Sequence, residues 1–119
     1  MSEQSDWIIR ERALIVFDDI VKPVFEDLVE RYNGLGGLVV KVVPDSPLIT
    51  GIEKYSSIMV KRPDGVEMIV CVYWVRGSGR LIAENICMVT LSKSLDIFTV
   101  TREELDRQIR FLSGLEMRP

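Results

Sequence analysis

Two stretches, Met68-Ile-Val-Cys-Val-Tyr-Trp-Val75 and Leu81-Ile-Ala-Glu-Asn-Ile-Cys-Met-Val-Thr-Leu91, decide the fold. The first contains no charged or amide side chain, and the second is interrupted only by Glu84, Asn85 and Thr90. A strand with one wet face alternates polar and apolar residues, whereas a continuous apolar run is typical of a strand that is covered on both faces. We therefore expect a hairpin whose two faces are both covered.

Turn sequences around this hairpin predict an antiparallel meander. Pro63-Asp64-Gly65 and Gly77-Ser78-Gly79 fit three-residue hairpin loops whose last residue, a glycine, adopts positive φ. Ser92-Lys93-Ser94 predicts a third, weaker turn, and Leu38–Val43 is an earlier strand. The sequence therefore predicts five strands that follow one another in the sheet.

Helical patterns flank the meander. Ser5 or Asp6 can cap a helix that runs to about Tyr32, and Pro23 removes a hydrogen bond inside it. Thr101-Arg-Glu-Glu104 is a capping box that opens a final helix over about 102–113. The apolar stripe of the first helix comprises Trp7, Ala13, Leu14, Phe17, Ile20, Val21, Val24, Phe25, Leu28 and Tyr32. The predicted fold is α+β in one domain, 1–119: a long N-terminal helix, a five-stranded mostly antiparallel meander sheet and a C-terminal helix.

The turns also predict which side chains share a face. Pairing Arg62 with Val66, Arg76 with Arg80, and Leu91 with Leu95 places the even-numbered strand residues on one nearly continuous apolar face. The odd-numbered face is also largely apolar, and its interface candidates are Tyr55, Met59, Ile69, Tyr73, Val75, Leu81 and Val89. Two helices about 10 Å wide cover roughly four strands on one face. We therefore expect both helices on the even face and a second copy of the chain on the odd face; the alternative is one helix on each face.

Composition and charge exclude several functions. The net charge of −3 argues against sequence-independent nucleic-acid binding, which depends on a basic surface. The longest apolar run, residues 68–75, is too short to cross a membrane. Residues 1–6 are polar and acidic, unlike a signal peptide, so the expected location is cytoplasmic. Cys71 and Cys87 lie in apolar runs and are expected to be buried, reduced and unpaired.

The chain contains no histidine, which removes Ser-His-Asp and Cys-His catalysis and HExxH zinc sites. No cofactor or metal is expected, and catalysis is disfavoured without being excluded. The weak ligand-site candidates are Glu84 with Trp74, in a pocket between the long helix and the even face, and the facing pair Arg76 and Arg80, which could grip a phosphate or carboxylate.

Two further motifs have structural explanations. Gly34-Leu-Gly-Gly37 follows a helix and precedes a strand, so it fits a helix cap and turn rather than a phosphate-binding loop. An acidic stripe on the first helix fits a solvated face, although it could dock a basic partner or a divalent cation. The stripe comprises Asp18, Asp19, Glu26, Asp27 and Glu30.

The sequence therefore predicts a small acidic cytoplasmic interaction module, an adaptor or chaperone-like protein-binding homodimer without catalytic activity. The alternative is a small-ligand-binding protein or a histidine-free enzyme with a pocket between the long helix and the sheet. A third hypothesis is a structural subunit of a larger complex.

Overall fold

A computed structural model describes residues 3–43, 52–87 and 91–115, with side chains for 6–43, 54–87 and 91–115. The helices are α1 (Glu3–Val16), α2 (Lys22–Tyr32) and α3 (Arg102–Leu112). The strands are β1 (Val39–Val43), β2 (Ile52–Lys61), β3 (Glu67–Val75), β4 (Arg80–Asn85) and β5 (Ser92–Asp96). They form one sheet in the order β1-β2-β3-β4-β5, and every neighbouring pair is antiparallel. The α+β fold with a five-stranded meander is confirmed.

A π-helical turn, Phe17–Val21, joins α1 to α2 immediately before Pro23. The amide of Lys22 donates to the carbonyl of Phe17, five residues back. Pro23 has no N–H to give to Asp19, four residues back, and the Asp19 carbonyl instead accepts from Nε of Arg102 at 2.8 Å. The bond that proline removes from the helix is therefore replaced by one from α3.

The buried side chains of all three helices belong to one core, on the even-numbered face of β2 and β3. From the sheet this core takes Ile58, Val60, Val70, Val72 and Trp74. From the helices it takes Ala13, Val16, Phe17, Val21, Val24, Phe25, Leu28, Leu105, Ile109 and Leu112. Both predicted helices thus pack on the even face, as expected. Trp7, placed in the apolar stripe by the sequence, is 63% exposed instead.

The first hairpin has the predicted register. Val60 pairs with Met68 and Ile58 with Val70, and Gly65 adopts φ 94° at the end of the loop. Glycine is required there because a side chain at that φ would be strained. The sequence alone specified this loop correctly.

The second hairpin is shifted by one residue from the predicted register, because four residues, 76–79, form its loop. Trp74 pairs with Leu81 rather than Ile82, and the positive φ falls on Gly77 rather than Gly79. The loop is fixed by Ser78, whose amide donates to the Val75 carbonyl and whose carbonyl accepts from the Trp74 indole. A shift of one residue exchanges the two faces of a strand.

The exchange of faces corrects two site predictions. Leu81, predicted on the odd face, is fully buried in the helix-side core. Glu84, predicted on the core face opposite Val72, pairs with Cys71 on the opposite side of the sheet.

The third turn was also predicted wrongly. Ser92, Lys93 and Ser94 lie within β5, and β4 ends earlier, at Asn85. Ile86 and Cys87 follow in a turn, and both are exposed. The expected pairing of Leu91 with Leu95 is therefore absent, and Leu95 pairs with Leu81 instead.

Polar contacts connect α3 to its neighbours. Asp106 forms ion pairs with Arg31 of α2 and with Arg110, the latter at 2.8 Å. The buried Asn85 side chain donates to the Leu112 carbonyl at 2.8 Å and accepts from the Cys87 amide at 2.9 Å. The last turn of α3 is therefore held against the end of β4.

Candidate functional site

The sheet face opposite the helices, which we call the open face, is the candidate site. Every buried helix residue belongs to the core on the other side, so none of the three helices covers this face. Its apolar side chains are Val39, Val43, Tyr55, Met59, Ile69, Cys71, Tyr73, Val75 and Ile82. Those at the centre, Met59 and Cys71, are buried, whereas Tyr55, Ile69, Tyr73 and Ile82 are half-buried. The surface offered to a partner consists of these half-buried rings and aliphatic side chains.

A row of polar side chains crosses the middle of the open face. Cys71 on β3 pairs with Ser57 on β2 and with Glu84 on β4. The hydroxyl of Tyr73 lies 3.5 Å from Oε1 of Glu84, a long hydrogen bond. The register places all four side chains on the same face, although the sequence assigned Glu84 to the other one.

The pKa values of two side chains in this row, Cys71 and Tyr73, are raised. Burial raises the pKa of the Cys71 thiol, and the Glu84 charge raises it further, while the Ser57 hydrogen bond lowers it. Burial and the charges of Glu84 and Cys71 raise the pKa of Tyr73 as well. A thiol with a raised pKa is a poor nucleophile, and a neutral phenol donates a hydrogen bond. Both side chains are therefore held in their protonated, neutral forms.

Glu84 and Trp74 lie on opposite faces and do not form the predicted pocket. Trp74 is buried in the core, and its indole N–H donates to the Ser78 carbonyl. The predicted register of the second hairpin, wrong by one residue, had placed Glu84 and Trp74 on the same face.

Arg76 and Arg80 do not face each other. Arg76 lies in the 76–79 loop, whereas Arg80 begins β4. The guanidinium of Arg80 donates to the hydroxyl and the carbonyl of Ser94, each at 2.9 Å. The predicted grip on an anion is therefore not formed.

The predicted interface residues divide into three groups. Tyr55, Met59, Ile69, Tyr73 and Val75 lie together on the open face. Leu81 lies in the core, and Val89 is outside the described residues. The sequence missed Ile82, which shares the open face once the register is corrected.

Away from the open face, described residues line at least two surface depressions. The larger, about 390 Å³, lies between α2 and α3 and is lined by Pro23, Val24, Asp27, Arg31, Arg102, Glu103 and Asp106. The smaller, about 230 Å³, is lined by Phe17, Asp18, Lys22, Phe25, Glu26, Val42, Lys54 and Ser56. Acids and bases are mixed in both, and the described residues contain no group of three acids or cysteines that could hold a metal ion.

No family model, curated protein or solved structure matches this chain. In the part of the chain that the structure describes, no helix has the length and apolar character needed to cross a membrane.

Proposed function

We propose that this protein is a non-enzymatic interaction module that forms a homodimer through the open face, and that it acts in the cytoplasm as an adaptor or chaperone-like binder. The observation that carries the proposal is the packing of all the helices on one side of the sheet. Exposure of an apolar sheet surface to water is unfavourable, so an apolar face that no helix covers is stabilised when another surface packs on it.

The size of the open face fits a reversible dimer. The five strands have 5, 10, 9, 6 and 5 residues. At about 3.3 Å per residue and about 4.8 Å between strands they give a flat area of roughly 550 Å², and protruding side chains increase it. Standard interfaces bury about 800 Å² on each partner. We therefore expect a dimer at the weaker end of the specific range, with a dissociation constant on the order of micromolar.

A second copy is the partner that best fits this surface. The centre combines tyrosine rings and aliphatic side chains, and aromatic residues are enriched at interface centres. Lys61 and Glu67 form a cross-strand pair at the edge of the face, so opposite charges border the apolar centre. A two-fold axis would place each apolar centre on the other and leave such pairs at a solvated rim.

Light scattering coupled to size-exclusion chromatography tests the dimer over a range of concentrations. Tyr73→Glu places a charge at the centre of the open face and should give a monomer, and Val75→Lys, at a 38% exposed strand end, should weaken the dimer without disturbing the fold. Ile15→Glu, on the exposed side of α1, is the matched control and should remain dimeric. Circular dichroism verifies that each variant is folded.

A wild-type monomer at every concentration would contradict the proposal. Loss of the dimer in Ile15→Glu, but not in the folded open-face variants, would indicate that the interface lies on α1 and not on the sheet.

A further inference from the structure

Glu84 places a carboxylate among the apolar side chains of the open face. Its neighbours on that face are Cys71 and Tyr73 on β3, Ile82 on β4 and Ser92 on β5. Cys71 is buried, and Tyr73, Ile82 and Glu84 itself are half-buried. A second sheet packed on these side chains would therefore remove most of the remaining water from the carboxylate.

The positively charged side chains on the strands of the open face lie at a distance from Glu84. Arg80 is four residues away on β4, roughly 13 Å along the strand, and its guanidinium donates to Ser94. The other described cations of this face, Lys41 and Lys61, lie on β1 and β2, at least two strands from β4. Glu84 accordingly forms no ion pair with another described residue.

The titratable groups next to Glu84, the Cys71 thiol and the Tyr73 phenol, do not neutralise its charge. Burial, the largest cause, and the Glu84 charge raise the pKa of both groups, which keeps both uncharged. The Tyr73 hydroxyl donates one long hydrogen bond, at 3.5 Å, whereas an ionised carboxylate can accept about four. The remaining described carboxylates of this face, Glu67 and Asp96, pair across strands with the cations at its borders. The ionised form of Glu84 is therefore poorly compensated once water is removed.

We propose that the open-face dimer is regulated by pH and tightens on acidification, because each copy buries Glu84 against an apolar part of the other sheet. This inference rests on the proposed homodimer and adds its regulation. Removal of water from a carboxylate disfavours the ionised form, and the neutral acid is buried at a much lower cost. A two-fold contact contains Glu84 from both copies, so both carboxyl groups take up protons when the dimer forms.

The direction of the pH dependence follows from the burial of this carboxyl group. Its proton affinity is higher in the dimer than in the monomer, so protons favour the dimer. The dimer is tightest where the carboxyl is protonated in both states, and it weakens as the pH rises until the carboxyl is ionised in the dimer as well. Glutamate in water loses its proton at acidic pH, and burial moves that loss toward neutral pH. The affinity should therefore change between mildly acidic and neutral pH.

Sedimentation equilibrium of the whole chain at about pH 8 and about pH 5.5 tests the proposal through the dissociation constant of the dimer. We expect the wild-type dimer to be at least about tenfold tighter at the acidic pH, because one pKa unit corresponds to a tenfold change in affinity. Glu84→Gln keeps the shape of the side chain and removes its charge. This variant should therefore dimerise more tightly than the wild type at about pH 8, with little change on acidification.

A control variant separates Glu84 from the net charge of the chain. The net charge is −3, and acidification reduces the repulsion between any two copies. Glu67→Gln removes the same charge from the border of the same face, where Glu67 pairs with Lys61. This variant should keep the pH dependence of the wild type. Circular dichroism at both pH values verifies that each protein is folded.

A wild-type dimer of equal affinity at both pH values, or the same pH dependence in Glu84→Gln as in the wild type, would overturn the proposed regulation and leave the dimer standing. A dimer that weakens on acidification would indicate that a cation of the second copy pairs with Glu84, and would overturn it as well. Monomers at every concentration and at both pH values, in Glu84→Gln as in the wild type, would contradict the homodimer itself and its regulation with it.

Discussion

Glu84 places a carboxylate near the centre of the open face, beside Cys71 and within 3.5 Å of the Tyr73 hydroxyl. In the proposed dimer this carboxylate loses water, and an unpaired buried charge costs several kcal/mol. The phenol of Tyr73 is the group that can donate to it, provided that the phenol stays protonated. The proposed dimer is therefore expected to keep the Tyr73–Glu84 contact intact.

Glu84→Gln should lower the pKa of Tyr73 toward its ordinary value, because the Glu84 charge and hydrogen bond both raise it. Burial is the larger cause and is unchanged, so part of the elevation should remain. Ultraviolet titration of the phenolate, with Tyr73→Phe subtracted to isolate this residue, measures the shift. An unchanged Tyr73 titration in Glu84→Gln would show that the two side chains do not interact.

The same raised pKa gives a stability prediction at alkaline pH. The pKa of Tyr73 is higher in the folded protein than in the unfolded chain. The contribution of this group to the free energy of unfolding is therefore complete below the unfolded pKa of about 10, and it is lost as the pH rises through the folded pKa. Urea unfolding at neutral and alkaline pH should show a smaller alkaline loss in Tyr73→Phe than in the wild type. Equal losses in both proteins would argue against a raised pKa.

The two thiols should differ in reactivity, since both are free but only Cys87 is exposed. Cys71 is buried, and its raised pKa reduces the thiolate fraction that reacts. Intact-mass spectrometry during alkylation without reductant should show one rapid and one slow modification, and Cys87→Ser should remove the rapid one. Two equally rapid modifications would place Cys71 in solvent.

At the scale of elements, the π-helical turn and the first turn of α3 depend on each other. Pro23 cannot bond to the Asp19 carbonyl, and Arg102, at the start of α3, donates to that carbonyl. Thr101 caps the same turn of α3 by accepting from the Glu104 amide at 3.1 Å. The position of α3 is therefore tied to the interruption in the N-terminal helix.

Arg102→Met should destabilise the fold by about 1 kcal/mol, the usual net value of one hydrogen bond. In a Pro23→Ala background the helix can provide its own donor to Asp19, so the same change should cost less. Urea unfolding of the four proteins in this double-mutant cycle measures the coupling energy. Identical effects of Arg102→Met in both backgrounds would show that the two sites act separately.

Local chemistry determined which elements the sequence could predict. Gly65 adopts a positive φ because it lacks a Cβ, and Thr101 caps a helix with its hydroxyl; both were placed correctly. The 76–79 loop depends on bonds from Ser78 to residues on both sides, and two glycines at 77 and 79 allowed two registers. The composition of the open face was therefore predictable in β2 and β3 but not in β4, where the wrong register exchanged Leu81 with Ile82 and hid the Tyr73–Glu84 contact.

At the scale of the whole molecule, the sheet separates two surfaces of different character. The helix side holds the core, while the other side is the open face. We propose that the open face meets a second copy of the chain, because it is the side of the sheet on which no described helix packs.

The most direct test of the dimer is an isotope-filtered nuclear Overhauser experiment on a mixture of labelled and unlabelled protein. The proposal predicts intermolecular contacts from the methyl groups of Ile69 and Ile82 to the rings of Tyr55 and Tyr73, all on the open face. Intermolecular contacts from Ile8 and Ile15 instead, or none at concentrations well above the dissociation constant, would contradict it.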